Sequence, residues 1–187
     1  MTIAAMILVN MPGSWSYVYA PLKHAHWHGC TPTDLIFPFF LFIVGSAMSY
    51  SFQRFNETTS PAFIWKVLQR MVLIFLIGLA LNAFPFQTPI SDLRILGVLQ
   101  RIALAYGLAA LLCLRLQPKN LIILSGFLLI GYWLLLSGFG KGEPYAVETN
   151  LVRIIDISIF GEHHLWHGKE IAFDPEGLLS TLPAIVT

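Results

Sequence analysis

Six histidines occur in the chain, and all of them fall in two short stretches: His24, His26 and His28, then His163, His164 and His167. Imidazole titrates near neutrality and serves as general base, nucleophile or metal ligand, so such clustering marks where chemistry should be sought. The first stretch reads Lys23-His24-Ala25-His26-Trp27-His28-Gly29-Cys30-Thr31-Pro32-Thr33-Asp34. Asp34 admits two readings. In one, Thr31 is a helix N-cap, Pro32 occupies the first helical position and Asp34 completes a capping box. In the other, the carboxylate takes a hydrogen bond from His24, fixing the tautomer of the ring and raising its basicity, as the acid of a catalytic triad does. A carboxylate has two oxygens and can do both. Three histidines at alternate positions could also bind zinc, but no carboxylate-rich or HExxH pattern accompanies them and no metal is expected. Asn10, at the end of the first apolar run, could donate to a developing oxyanion or simply cap backbone carbonyls.

A second group of residues suits an anion. In Arg94-Ile95-Leu96-Gly97-Val98-Leu99-Gln100-Arg101 the two arginines lie seven apart, which puts them on one face if the segment is helical. Gln100 and Arg101 then sit about a third of the way into a bilayer, where a guanidinium is costly unless it is paired, snorkels or lines a wet cavity. Phosphates such as those of coenzyme A would satisfy Arg94, Gln100 and Arg101. The competing explanation is an ion pair with Asp34, Asp174 or Glu176. Asp174-Pro175-Glu176 resembles a helix start, which accounts for Asp174 better than for Glu176. Trp27, His164 and Glu176 are therefore candidates for holding a polar substrate. Trp27, like Trp15, Tyr17, Tyr19 and Trp166, could stack on a sugar ring or belong to an ordinary interfacial belt.

The elements that must position these residues are membrane helices. Hydrophobic residues make up 56% of the 187 and charged residues only 11%, against about a quarter charged in soluble domains. The apolar residues gather into blocks of about 20, the length of a helix that crosses ~30 Å of hydrocarbon, without the alternation of barrel strands. The fold class expected is an all-α polytopic transmembrane bundle. Its helices are placed at 2–11, 32–52, 62–83, 93–115 and 120–138, with a sixth beginning at 176–187. The first and last runs are too short to span, so both ends read as cut.

Arg54, Lys66, Arg70, Arg115 and Lys119 with Glu57 give +4 on one side of such a bundle. Six basic residues, among them Lys141 and Lys169, and nine acids give −3 on the other. The density of positive charge in the short loops assigns them to the cytosol, which puts both histidine stretches on the far side, where they could build one site. The net charge of +1 offers nothing to nucleic acid. Cys30 and Cys113 fall on opposite sides and are not expected to pair. Gly45 and Ser49, four apart, allow close helix packing within one chain or in a homo-oligomer.

These motifs resemble those of the heparan-alpha-glucosaminide N-acetyltransferase family, which includes the lysosomal enzyme and bacterial inner-membrane relatives. The likeness is carried by Lys23-His24-Ala25-x-Trp27-x-Gly29-x-Thr31-x-x-Asp34-Leu35-x-Phe37-Pro38-x-Phe40-x-Phe42-x-x-Gly45, by Arg94-x-x-Gly97-Val98-Leu99-Gln100-Arg101, and by Asp174-Pro175-Glu176-Gly177. The resemblance implies one integral membrane acyltransferase domain over 1–187, incomplete at both ends, in a bacterial inner membrane. It implies acetyl-CoA as co-substrate and an amino sugar or glycan as acceptor, with membrane lipid around it. The family's active-site histidine falls on His24, its asparagine on Asn10 and its acid on Asp34. His24 is then a general base or an acetyl carrier. The family's basic and acidic motif before the first helix is absent, His26 and His28 replace other polar residues, and the loop from Asn10 to His24 is longer. O-acylation of surface glycans, or a proton-coupled sugar path through His24, Asp34 and Arg101, are the alternatives.

Overall fold

The computed structural model describes residues 2–53, 60–140, 142–167 and 171–187. Arg54, Glu57, Lys141 and Lys169, all counted in the charge asymmetry, lie outside the described residues. Among the described residues the secondary structure is entirely helical: α1 (Thr2–Asn10), α2 (Pro32–Gln53), α3 (Pro61–Ala83), α4 (Val98–Arg115), α5 (Pro118–Phe139), α6 (Leu151–Phe160) and α7 (Thr181–Ala184), with four short 3-10 turns. The helices α2 to α5 are each long and apolar enough to cross a membrane, as expected for an integral membrane protein.

Local sequence sets their limits. Proline stands at the first position of α2, α3 and α5, where its missing N–H is not needed. Ser60 caps α3 by accepting the Phe63 N–H. Pro118 and the two residues before it end α4 and begin α5.

The chain divides into two compact units, residues 1–54 with Thr187, and residues 55–186. In the first, α1 packs on α2, and the 3-10 turn Ala20–Leu22 also lies against α2. In the second, α3 and α4 form the closest pair. Their contact depends on small residues: a Cβ on Gly107 of α4 would fall 2.1 Å from Met71 Sδ, and one on Gly78 of α3 would fall 2.7 Å from Gln100 Oε1. Ala103 and Ala110 line the same contact and are fully buried. Elsewhere the helices present apolar side chains outward, as Ile122, Phe127, Ile130 and Trp133 do on α5. In hydrocarbon such faces need no protein cover.

Three expectations about elements are corrected. Helix 4 begins at Val98 rather than at 93, because residues 93–97 are held extended. Asn82 Nδ2 donates to the carbonyls of Arg94 (3.0 Å) and Leu96 (3.3 Å), and the Ile95 N–H donates to the His164 carbonyl at 3.2 Å. The stretch 139–175 is not all loop, since α6 lies within it. No long helix starts at Asp174-Pro175-Glu176; the chain turns there and again at 178–180 before the four residues of α7. Arg70, counted with the short loops in the charge asymmetry, has a partner on α4. It follows about 13 Å of α3 at 1.5 Å per residue, and its guanidinium lies 5.2 Å from the centre of the Tyr106 ring on α4.

Candidate functional site

At the head of α2, His24 Nδ1 lies 2.6 Å from Asp34 Oδ1. The other carboxylate oxygen, Oδ2, takes the backbone N–H of Thr31 at 2.8 Å and that of Ala25 at 3.3 Å. The Thr31 hydroxyl lies 2.9 Å from the same Oδ2 and 2.8 Å from the Lys23 carbonyl, and its single proton serves one of them at a time. Asp34 thus performs both tasks open to it: one oxygen caps the helix and the other orients the imidazole. Thr33 Oγ1 donates to the Pro21 carbonyl at 3.1 Å, so the loop carrying His24 is tied to α2 at Lys23, Ala25 and Pro21.

The consequence is a defined tautomer. With Nδ1–H directed at a carboxylate, the neutral ring keeps its lone pair on Nε2. The His24 side chain is 64% exposed and that of Asp34 27%, so Nε2 belongs to a ring that a reactant can reach. Trp27 packs edge-on against His28, their ring centres 6.4 Å apart. The Asn10 amide donates to the Met6 carbonyl at 2.9 Å, which is the capping alternative. It retains a second N–H.

In the other unit, the arginines meet one short turn. Arg94 donates through Nε to Asp174 Oδ2 at 2.9 Å and through one terminal nitrogen to Asp174 Oδ1 at 2.6 Å and Glu176 Oε2 at 2.5 Å. The ion-pair alternative is therefore the one realised, with Asp174 and Glu176. Because Arg94 precedes α4, the expected shared helical face of Arg94 and Arg101 does not exist. The two converge all the same, since Arg101 donates to the carbonyls of Pro175 at 3.1 Å and Ser180 at 2.8 Å.

Burial pulls the Arg94 guanidinium down, but the hydrogen bonds and charges of Asp174 and Glu176 outweigh it and leave Arg94 above the ordinary arginine value. Burial, helped by Asp174, raises Glu176 above the ordinary carboxylate range against the pull of Arg94. Gln100, only 1% exposed, fits between Gly78 and Gly97, and its Nε2 has no hydrogen-bond partner among the described residues.

His164 Nδ1 lies 2.7 Å from the Leu93 carbonyl, an acceptor only, so this nitrogen carries the hydrogen. The ring thereby pins the extended segment before α4. Asp156 on α6 was not anticipated. Its side chain is fully buried, and its Oδ1 accepts the Leu178 N–H at 3.0 Å. Burial and the Asp174 charge push its carboxyl up to about 6 against that hydrogen bond. The sequence signal was an acid inside the apolar run Leu151 to Phe160. Among the described residues no three His, Cys, Asp or Glu side chains gather as a metal site would require.

Comparison with known proteins places the chain in a family. A family model described as "Heparan-alpha-glucosaminide N-acetyltransferase, catalytic" matches residues 1–159. The chain is similar to human heparan-alpha-glucosaminide N-acetyltransferase, 31% identical over 234 aligned residues that cover 97% of this chain and 34% of the human protein. It is also similar to the mouse protein of that name, 28% identical over 239 residues, covering 100% of this chain and 36% of the mouse protein. The chain thus spans about a third of the length of these curated relatives.

Proposed function

As the chain belongs to the heparan-alpha-glucosaminide N-acetyltransferase family, we propose that it carries the reactive histidine of an acetyltransferase that moves acetyl from cytosolic acetyl-CoA to the amine of a glucosamine-type sugar across the membrane. The observation that carries this reading is the 2.6 Å contact between His24 Nδ1 and Asp34 Oδ1 on an accessible ring. The membrane we assign is a bacterial inner membrane, with the short basic loops in the cytosol.

In this mechanism His24 Nε2 takes a proton from the acceptor ammonium or amine. The freed nitrogen forms a bond to the thioester carbonyl carbon as the carbon–sulfur bond breaks, and the thiolate of CoA leaves and is protonated. Asp34 holds the ring and stabilises the imidazolium as it forms. The second N–H of Asn10 is the donor we assign to the thioester oxygen while it carries charge. Trp27 offers an aromatic face to a sugar.

For the coenzyme, Arg101 and Gln100 are the residues we assign. Arg101 donates to the backbone carbonyls of Pro175 and Ser180, and Gln100 beside it has an Nε2 without a hydrogen-bond partner among the described residues. Arg94 acts behind them by holding Asp174 and Glu176, which removes Glu176 from our first choices for the acceptor. His164 supports the same segment through Leu93.

The experiment is transfer of labelled acetyl from acetyl-CoA by the full-length protein in membranes, with glucosamine and a sugar lacking the amine offered separately. Amine-dependent transfer that falls at least about 100-fold in His24→Ala is expected. Transfer to the hydroxyl acceptor alone would move the assignment to O-acylation, and no transfer to either by folded protein would sink it.

A further inference from the structure

The turn that holds both arginines is itself held from below. Its residues 174–180 supply every acceptor described above for Arg94 and Arg101: the carboxylates of Asp174 and Glu176, and the carbonyls of Pro175 and Ser180. Four-residue spacing cannot arrange these, because no helix runs through them. The Gly177 N–H bonds only to Asp174 of the same turn. What reaches the turn from outside is Asp156, whose Oδ1 accepts the Leu178 N–H at 3.0 Å while Oδ2 lies against Gly177 so closely that a Cβ there would fall 2.3 Å from it.

The fit is costly to maintain. Asp156 is fully buried, and among the described residues its Oδ2 has no hydrogen-bond partner. A buried carboxylate with one unmatched oxygen costs stability, so its presence here calls for a role. Val152, one helical turn earlier on α6, closes on Gly177 as well: the same hypothetical Cβ would meet Val152 Cγ1 at 2.5 Å. The first turns of α6 therefore form a seat shaped to glycine at 177 and to the N–H at 178. Arg153, next to Val152 on α6, fastens the segment leading into the turn by donating to the Ala172 carbonyl at 2.8 Å.

We propose that Asp156 is a positioning residue: from α6 it fixes the turn 174–180, and through that turn it sets where the guanidiniums of Arg94 and Arg101 lie. This rests on the reading that Arg101 and Gln100 meet the coenzyme. Asp156 touches neither reactant; its effect is on the fit of acetyl-CoA and not on the bond-making step at His24.

The test uses full-length protein in lipid nanodiscs, as wild type, Asp156→Ala, Asp156→Asn and Gly177→Ala, with His24→Ala as control. Deuterium exchange over residues 174–181 reads the turn directly, and KM for acetyl-CoA is separated from kcat. In Asp156→Ala, exchange in this segment and KM should each rise about tenfold, the scale of one lost charge-assisted hydrogen bond, with kcat changed less than about twofold. Asp156→Asn keeps an oxygen for the Leu178 N–H and should return KM to within about threefold of wild type. Gly177→Ala should raise KM from the other side of the contact. His24→Ala should leave the exchange unchanged.

Wild-type exchange and KM in Asp156→Ala would overturn the proposal. Raised exchange with an unchanged KM and a fallen kcat would overturn the link to the coenzyme. If wild type itself transfers no acetyl, the functional reading fails on its own, and the exchange data still decide whether Asp156 holds the turn.

Discussion

The head of α2 and the arginine turn both pair carboxylates with cationic or protonatable side chains, yet they are built in opposite ways. At the head of α2 the partners are ten residues apart and solvent reaches the imidazole. At the turn the partners are 80 and 82 residues apart, Asp174 is fully buried, and the guanidinium makes a forked contact that leaves little of it for a ligand. An exposed ring can gain and lose a proton because water and reactant both reach it. A buried forked pair is fixed, since separating its charges strands one of them in low dielectric. Residues of the same types are thus open to a reactant in one place and locked into the fold in the other.

Breaking the buried side should have the larger effect on stability. Asp174→Ala leaves Arg94 with Glu176 alone and should cost about 3–5 kcal/mol, seen as loss of folded protein in detergent-exchange or thermal assays, while a matched change in the exposed dyad should leave folding nearly intact. Gly78→Ala should cost about 1–3 kcal/mol, because the new methyl meets Gln100 Oε1 and Leu99 Cβ inside 3 Å; thermal unfolding reads it.

Asp156 sharpens the contrast through pH. Its folded-state value of about 6 lies above the ordinary carboxyl value of 3.8, so the folded state holds this proton more tightly than the unfolded one. The corresponding stability is fully present below about 3.8, is lost as pH rises to about 6, and stays lost above that. Asp156→Asn carries no such titration. The melting temperature of the variant relative to wild type should therefore be higher at pH 7.5 than at pH 4.5, and a constant difference would contradict the burial argument. The smallest effect expected is from Thr31→Val, which removes one donor near Asp34 Oδ2 but leaves the two backbone N–H groups. It should change stability by about 1 kcal/mol or less, with transfer reduced only a few-fold.

Legibility in the sequence followed the range of the interactions. The spans α2, α3 and α5 were readable to within two residues because apolar length and an N-terminal proline are local facts. His24 with Asp34 was readable because capping and orientation both act within one turn of the helix start. Arg94 was not placed correctly, since its conformation depends on Asn82 and His164, which approach only after the chain has folded. Gly97 was the warning, with its extended backbone lying just ahead of α4. Asp174 looked like an N-cap because Asp-Pro-Glu usually is one; its Oδ1 does accept the Glu176 N–H at 3.3 Å, but no long helix follows and its charged partner lies 80 residues away. Helix α6 escaped notice for being too short to span. Its Asn150 cap, which accepts the Val152 N–H at 2.9 Å, was nevertheless in plain sight.

The most direct test of the dyad is kcat for acetyl transfer by Asp34→Asn, beside wild type and His24→Ala. Asparagine retains an oxygen for the Thr31 N–H but presents an amide to His24, so capping survives while the tautomer is no longer enforced. If the dyad is the reactive centre, folded Asp34→Asn loses at least about 100-fold in kcat, approaching His24→Ala; a folded variant with wild-type kcat would show that Asp34 is a helix cap and nothing more.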